Sequence, residues 1–266
     1  MKKILFGFFV ALIAVAALPL FAAFEAHVIN VTARIENALA VTTDNIDFGT
    51  VFPQEHLERL LGIRLSGSFM TEDNADDVDY FIRQKPKCGI TTEEGTILIG
   101  ETTTGHVIPD GQGGYRIDCD PDPRELDQND DPLPLGSSWG VLPSLCEYIS
   151  KDGDSDQDPG DENDGTTPSF HVPFTVGTSS VNWLDTKGRL AKSEQDVLDT
   201  WVIDLAVPCF GGHCAQDWAD FVHEHNPGAN PDDYDQDIKN EHKVFGCDLW
   251  VEVSGVSRFS TSTLPI

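Results

Sequence analysis

The stretch Trp201-Val202-Ile203-Asp204-Leu205-Ala206-Val207 sets apolar residues at 201, 203, 205 and 207 and places Val202, Asp204 and Ala206 between them. A period of two is that of a β-strand with one face in a core. The same period recurs downstream, where Leu249, Val251 and Val253 alternate with Trp250, Glu252 and Ser254. Upstream, Val78, Tyr80 and Ile82 alternate with Asp79, Phe81 and Arg83, and Ile29, Val31, Ala33 and Ile35 enclose Asn30, Thr32 and Arg34. Ile46, Phe48 and Val51 around Gly49, closed by Pro53, predict a further strand and turn, and Leu57 to Phe69 another strand. Short alternating strands from both ends of a chain predict an all-β fold, an antiparallel two-sheet sandwich of jelly-roll type.

One short helix is expected within it. Trp218, Phe221, Val222 and His225 follow helical spacing, and Asn226-Pro227-Gly228 ends the segment. Residues 88–168 are rich in Gly, Pro, Asp and Thr with few alternating runs, and predict a disulfide-tied, acidic surface insertion in a single domain over 27–266. No internal repeat at a fixed period argues for a solenoid or propeller.

Lys2 and Lys3 precede an uncharged apolar run from Ile4 to Phe24, the order of a secretory signal over residues 1–26. Pro19, Ala22, Ala23 and Ala26 favour cleavage near there, whereas the run of 21 residues is also long enough to remain as an anchor. Either way the chain is routed outward, to a secreted or cell-surface location, with membrane contact only through an uncleaved N-terminal segment. A formal charge of −28 makes nucleic acid and anionic lipid poor partners.

Six cysteines in an exported chain predict disulfides. Cys209 and Cys214 frame a short loop with two glycines, which lets the chain reverse and the two sulfurs meet.

Asp152, Asp154, Asp156 and Asp158 alternate in the run 151–165, and a looped backbone would turn several carboxylates toward one hard cation such as calcium. The EF-hand pattern fails, since the sixth position from Asp152 is Gln157 and the twelfth is Asn163. Between Asp120 and Asp164 there are 14 acidic residues against Arg124 and Lys151, a composition equally suited to a solvated loop. His213, His223, Glu224, His225 and His242 raise zinc, but His223 and His225 lie about 200° apart on a helix and miss the four-residue spacing of a zinc peptidase. With no nucleophile elbow, phosphate loop or dinucleotide fingerprint, neither catalysis nor an obligatory cofactor is expected.

The segment Asp44-Asn-Ile-Asp-Phe-Gly-Thr-Val-Phe-Pro53 after a short signal and an opening strand, together with Trp201 to Cys209, resembles the TasA and camelysin group of secreted surface proteins. That resemblance implies a jelly-roll-like sandwich and a biofilm-matrix or fibre subunit that associates with itself or with other surface proteins. Some members lend their first strand to a neighbour, which casts Ile29, Val31, Ala33 and Ile35 as the assembly strand. Some have been classed as extracellular metallopeptidases, a role for which no ligand motif here matches. The remaining expectation is a secreted calcium- or ligand-binding adhesive module.

Overall fold

The 201–207 alternation lies in a strand, Leu198–Ala206, whose inward residues Asp199, Trp201, Ile203 and Leu205 are buried while Thr200, Val202 and Asp204 are half-buried. The computed structural model describes residues 36–91, 97–119, 138–153, 165–177, 180–211 and 213–258. In chain order the strands are β1 (Leu39–Val41), β2 (His56–Leu65), β3 (Ala75–Thr91), β4 (Ile97–Thr104), β5 (His106–Pro109), β6 (Tyr115–Asp118), β7 (Ser138–Val141), β8 (Lys151–Asp152), β9 (Thr166–Thr167), β10 (Phe174–Val176), β11 (Val181–Trp183), β12 (Thr186–Ala191), β13 (Leu198–Ala206) and β14 (Cys247–Arg258). A helical turn, α1 (Gly67–Met70), follows β2, and α2 (Trp218–His225) lies between β13 and β14.

The fold is an antiparallel all-β sandwich. One sheet has the order β1-β2-β13-β8-β9 and the other β12-β3-β14, with β4 and β7 pairing the distal half of β3. Leu61, Ile63, Trp201, Ile203 and Leu205 of the first sheet face Val78, Tyr80, Ile82 and Leu190 of the second in one core. The Tyr80 hydroxyl crosses that core, donating to the Asp199 carboxylate and accepting the Trp201 indole N–H at 2.7 Å. A buried phenol and indole are thereby satisfied, which a sandwich interior requires.

Helix α2 covers one end of the core. Trp218 and Val222 are buried, His223 is exposed, and the His225 ring meets that of Phe221 in a tilted contact at 4.6 Å. Beneath them Phe170 is fully buried and makes edge contacts with Tyr148, Trp218 and Tyr234 at 6.0, 5.5 and 5.5 Å. It takes a positive φ of 57°, a strained backbone for an aromatic residue that the surrounding rings hold in place.

Three expectations are corrected. Residues 46–51 form no strand: Thr42 and Thr43 bond instead to the Gly62 and Leu60 carbonyls of β2, Gly49 has φ 72°, and Ile46, Phe48 and Val51 pack on the core from irregular chain. The strand expected over Leu57–Phe69 ends at Leu65, where Ser66 caps α1. Nor is 88–168 wholly a surface insertion. Cys88 belongs to β3, and Leu142, Cys146, Tyr148, Ile149, Lys151 and Thr167 are buried in the body of the sandwich. This segment enters the interior through hydrogen-bonded polar and aromatic side chains, which leave no period-two signature.

Three disulfides join Cys88 to Cys119, Cys146 to Cys247, and Cys209 to Cys214.

Candidate functional site

Directly opposed residues of an antiparallel ladder share a face. Val41 in β1 opposes Ile63, and Val253 in β14 opposes Tyr80, both partners being fully buried. Val41 and Val253 therefore point inward by register, yet they are 45% and 41% exposed. Among the described residues, nothing covers these two valines along the flank that β1 and β14 border.

A groove of about 660 Å³ runs into this flank, lined by Ile46, Phe48, Leu61, Ile203, Leu249 and Val251 among others. Its polar rim includes Asp248, which accepts from Lys87 Nζ and Thr104 Oγ1, each at 2.7 Å. Arg59 stacks over Phe48 at 5.4 Å. One edge of β14 pairs with β3; among the described residues no strand pairs with the other. Unpaired N–H and C=O groups beside a trough with apolar walls and a polar rim are a template for an added strand.

The outer face of the β3–β14 sheet carries a second feature. Lys85 Nζ sits 3.5 Å from the Trp250 ring centroid and 5.8 Å from that of Trp183. Trp183 then meets Phe174 at 5.4 Å, and Phe174 meets Tyr115 at 5.2 Å. Burial against these rings lowers the Lys85 pKa. Trp250 and Tyr115 are 39% and 49% exposed, so the row has open aromatic faces.

The histidines do not assemble as a zinc site. His213, His223 and His242 are exposed and scattered. His225 donates from Nδ1 to the Phe221 carbonyl at 2.9 Å, and its Nε2 lies 3.9 Å from Asp204. His56 approaches the same carboxylate at 3.9 Å, beyond hydrogen-bond range. Asp235 lies beside Cys209 and Cys214, but both sulfurs are bonded to each other and offer no thiolate to a metal.

Of the proposed calcium ligands, Asp152 is exposed in β8, opposite Val202, while Asp154, Asp156 and Asp158 lie outside the described residues. The assembly strand Ile29, Val31, Ala33 and Ile35 and the apolar run Ile4–Phe24 also lie outside them. Among the described residues no helix is long and apolar enough to cross a membrane.

Two groups escaped sequence reasoning. These are Phe170 and the buried trio Gln84, Lys151 and His171, of which Phe170, Lys151 and His171 belong to no periodic run. Only Gln84 had a signal, since it continues the inward parity of Val78, Tyr80 and Ile82.

Together these features define a class: an antiparallel β-sandwich with three disulfides and, among the described residues, one uncovered flank. No family model, no curated protein and no solved structure matches the chain.

Proposed function

We propose that this chain is a secreted structural or adhesive surface protein, a fibre or matrix subunit that assembles by adding a strand to its open flank. The observation that carries this reading is the pair Val41 and Val253, inward by register and 45% and 41% exposed: Val41 lines the groove, Val253 follows its lining residue Val251 on the same face of β14, and no described strand pairs with the outer edge of β14. Its proposed occupant is the segment 27–35, whose Ile29, Val31, Ala33 and Ile35 would enter the groove of a neighbouring copy, or of the same one. Export is supported by the N-terminal pattern and by the three disulfides.

Negative-stain microscopy of the mature protein tests this. Filaments are expected from the full mature chain, and monomers from a chain lacking residues 27–35, with a synthetic peptide of that sequence binding to the truncated form. Val251→Asp, on the groove face, should abolish filaments, whereas Ser254→Asp on the outer face should not. Equal behaviour of the two variants would sink the reading. Repeating the microscopy with calcium, and a protease assay with zinc, separates calcium-driven clustering and peptidase activity.

The aromatic row Tyr115, Phe174, Trp183 and Trp250 supports a second reading, an adhesive module. Open aromatic faces stack on flat, weakly polar ligand surfaces such as sugar rings. Binding to immobilised polysaccharide that disappears in Trp250→Ala would select it.

A further inference from the structure

Gln84, Lys151 and His171 meet in the interior between the two sheets. Gln84 continues the inward face of β3, and Lys151 points inward from β8 in the opposite sheet, its neighbour Asp152 pointing out. Their exposures are 1% and 0%, and that of His171 is 7%. Lys151 Nζ donates to Gln84 Oε1 at 2.8 Å, and His171 Nε2 lies 2.6 Å from the same oxygen. The Gln84 amide nitrogen donates to the Cys146 and Ile149 carbonyls at 2.9 and 3.2 Å. Those two acceptors fix the amide orientation, because a flipped group would turn its oxygen toward both.

A lysine buried this deeply is ordinarily paired with a carboxylate. Here its partner is a neutral amide, and burial alone pushes the ammonium down to about 7. His171 Nδ1 lies 2.8 Å from the Pro168 carbonyl, so both ring nitrogens face carbonyl oxygens and each needs a hydrogen. Burial, and then the Lys151 charge, hold the imidazole down to about 4, which disfavours two cations side by side. Lys151 is the stronger base of the two and takes a single proton first, whereas the hydrogen bonds are all met in the minor arrangement in which the imidazole holds it. Lys151 is then a free amine next to an amide carbonyl polarised by an imidazolium.

We propose that Lys151 and Gln84 join in an intramolecular isopeptide bond across the sandwich, with His171 activating the amide oxygen. Nζ adds to Cδ of Gln84, and the carbonyl electron pair moves onto Oε1, where the His171 Nε2–H stabilises it. Collapse restores the carbonyl and breaks the Cδ–Nε2 bond. The proton lost by Nζ passes to Nε2, which leaves as ammonia. One C–N bond replaces another, nothing is oxidised or reduced, and no co-reactant is consumed. The fold supplies proximity, and the dry interior keeps water from competing for the carbonyl. The product ties β3 to β8, one sheet to the other, by a bond that thiol reductants leave intact. It is independent of whether the open flank accepts a strand.

Peptide mapping of the purified, reduced, full-length protein by tandem mass spectrometry tests the bond. A branched peptide joining the Gln84 and Lys151 segments, lighter by one ammonia than the sum of the two, is expected. It should be absent from Lys151→Met, and its formation in freshly refolded His171→Phe should slow by about 10²-fold or more. Recovery of Gln84 and Lys151 in separate linear peptides of unaltered mass overturns the proposal, and this result needs no variant to fold. Unchanged kinetics in a folded His171→Phe protein would remove His171 from the chemistry.

Discussion

The three disulfides should contribute unequally to stability, in an order set by the chain each one closes. The sequence separations are 101 for Cys146–Cys247, 31 for Cys88–Cys119 and 5 for Cys209–Cys214. Loop-closure entropy grows with the logarithm of that length, giving about 4.7, 3.7 and 2.1 kcal/mol at 25 °C. Cys146, Cys88 and Cys209 are 2%, 0% and 0% exposed, so replacing each bonded pair by alanine leaves comparable packing defects and the difference between variants reports the loop. Against a total of about 5–15 kcal/mol for a domain, the longest bond is a large share. It also anchors the start of β14, the strand with a free edge, to the turn leading into β8. Urea unfolding without reductant measures all three, and the long-loop variant should show the lowest midpoint with a larger slope, as its unfolded state expands. If the Cys209–Cys214 variant loses as much as the Cys146–Cys247 variant, the entropic reasoning is refuted.

Glu147 is half-buried, and burial raises its carboxyl from 4.5 to about 7. The folded chain therefore binds more protons than the unfolded one between those values, so this group's contribution is full below pH 4.5 and lost as pH rises through 7. Glu147→Gln should unfold at a higher urea concentration at pH 8, by up to about 3 kcal/mol, and differ little at pH 4. Gly188 opposes Tyr80 across β12 and β3, and an added Cβ would overlap the ring, with Cε1 only 2.8 Å away. Gly188→Ala should lower thermal stability by about 1–3 kcal/mol, whereas Gly67→Ala, with nothing within 4 Å, should not.

The paired sheets were legible where one face is buried and the other is not. Val78, Tyr80 and Ile82 and the 201–207 run alternate because each strand divides core from surface. Ile46, Phe48 and Val51 carry the same pattern but pack from irregular chain beyond Thr42, whose amide still donates to the Gly62 carbonyl of β2 while the Thr43 hydroxyl, in place of an amide, takes that of Leu60. Alternation also names a residue's face without saying whether anything covers it. Val251 and Val253 read alike in sequence, yet only the second lies over 40% exposed at the open flank. Lys151 stands at the head of an acidic run and reads as solvated, although it is wholly buried. Its place depends on Gln84 and His171, 67 and 20 residues away, and local pattern carries no such information.

The opening between the sheets is local rather than a general looseness. On the opposite flank β9 and β12 are fastened by the Thr167 and Thr186 hydroxyls at 2.6 Å and by Gly165 N–H donating to the Lys187 carbonyl at 2.8 Å. Through the middle, Tyr80 reaches Asp199 and Trp201, and Gln84 reaches Lys151. Both ties start from the inward face of β3, on either side of Ile82, so the central strand of one sheet is held to the other sheet at two depths. A sandwich fastened along one flank and its midline keeps the separation of its sheets when the other flank is empty. The groove is then preformed, and an added strand gains main-chain bonds along β14 and on the order of 1 kcal/mol from each half-exposed valine it covers, without first having to order the walls.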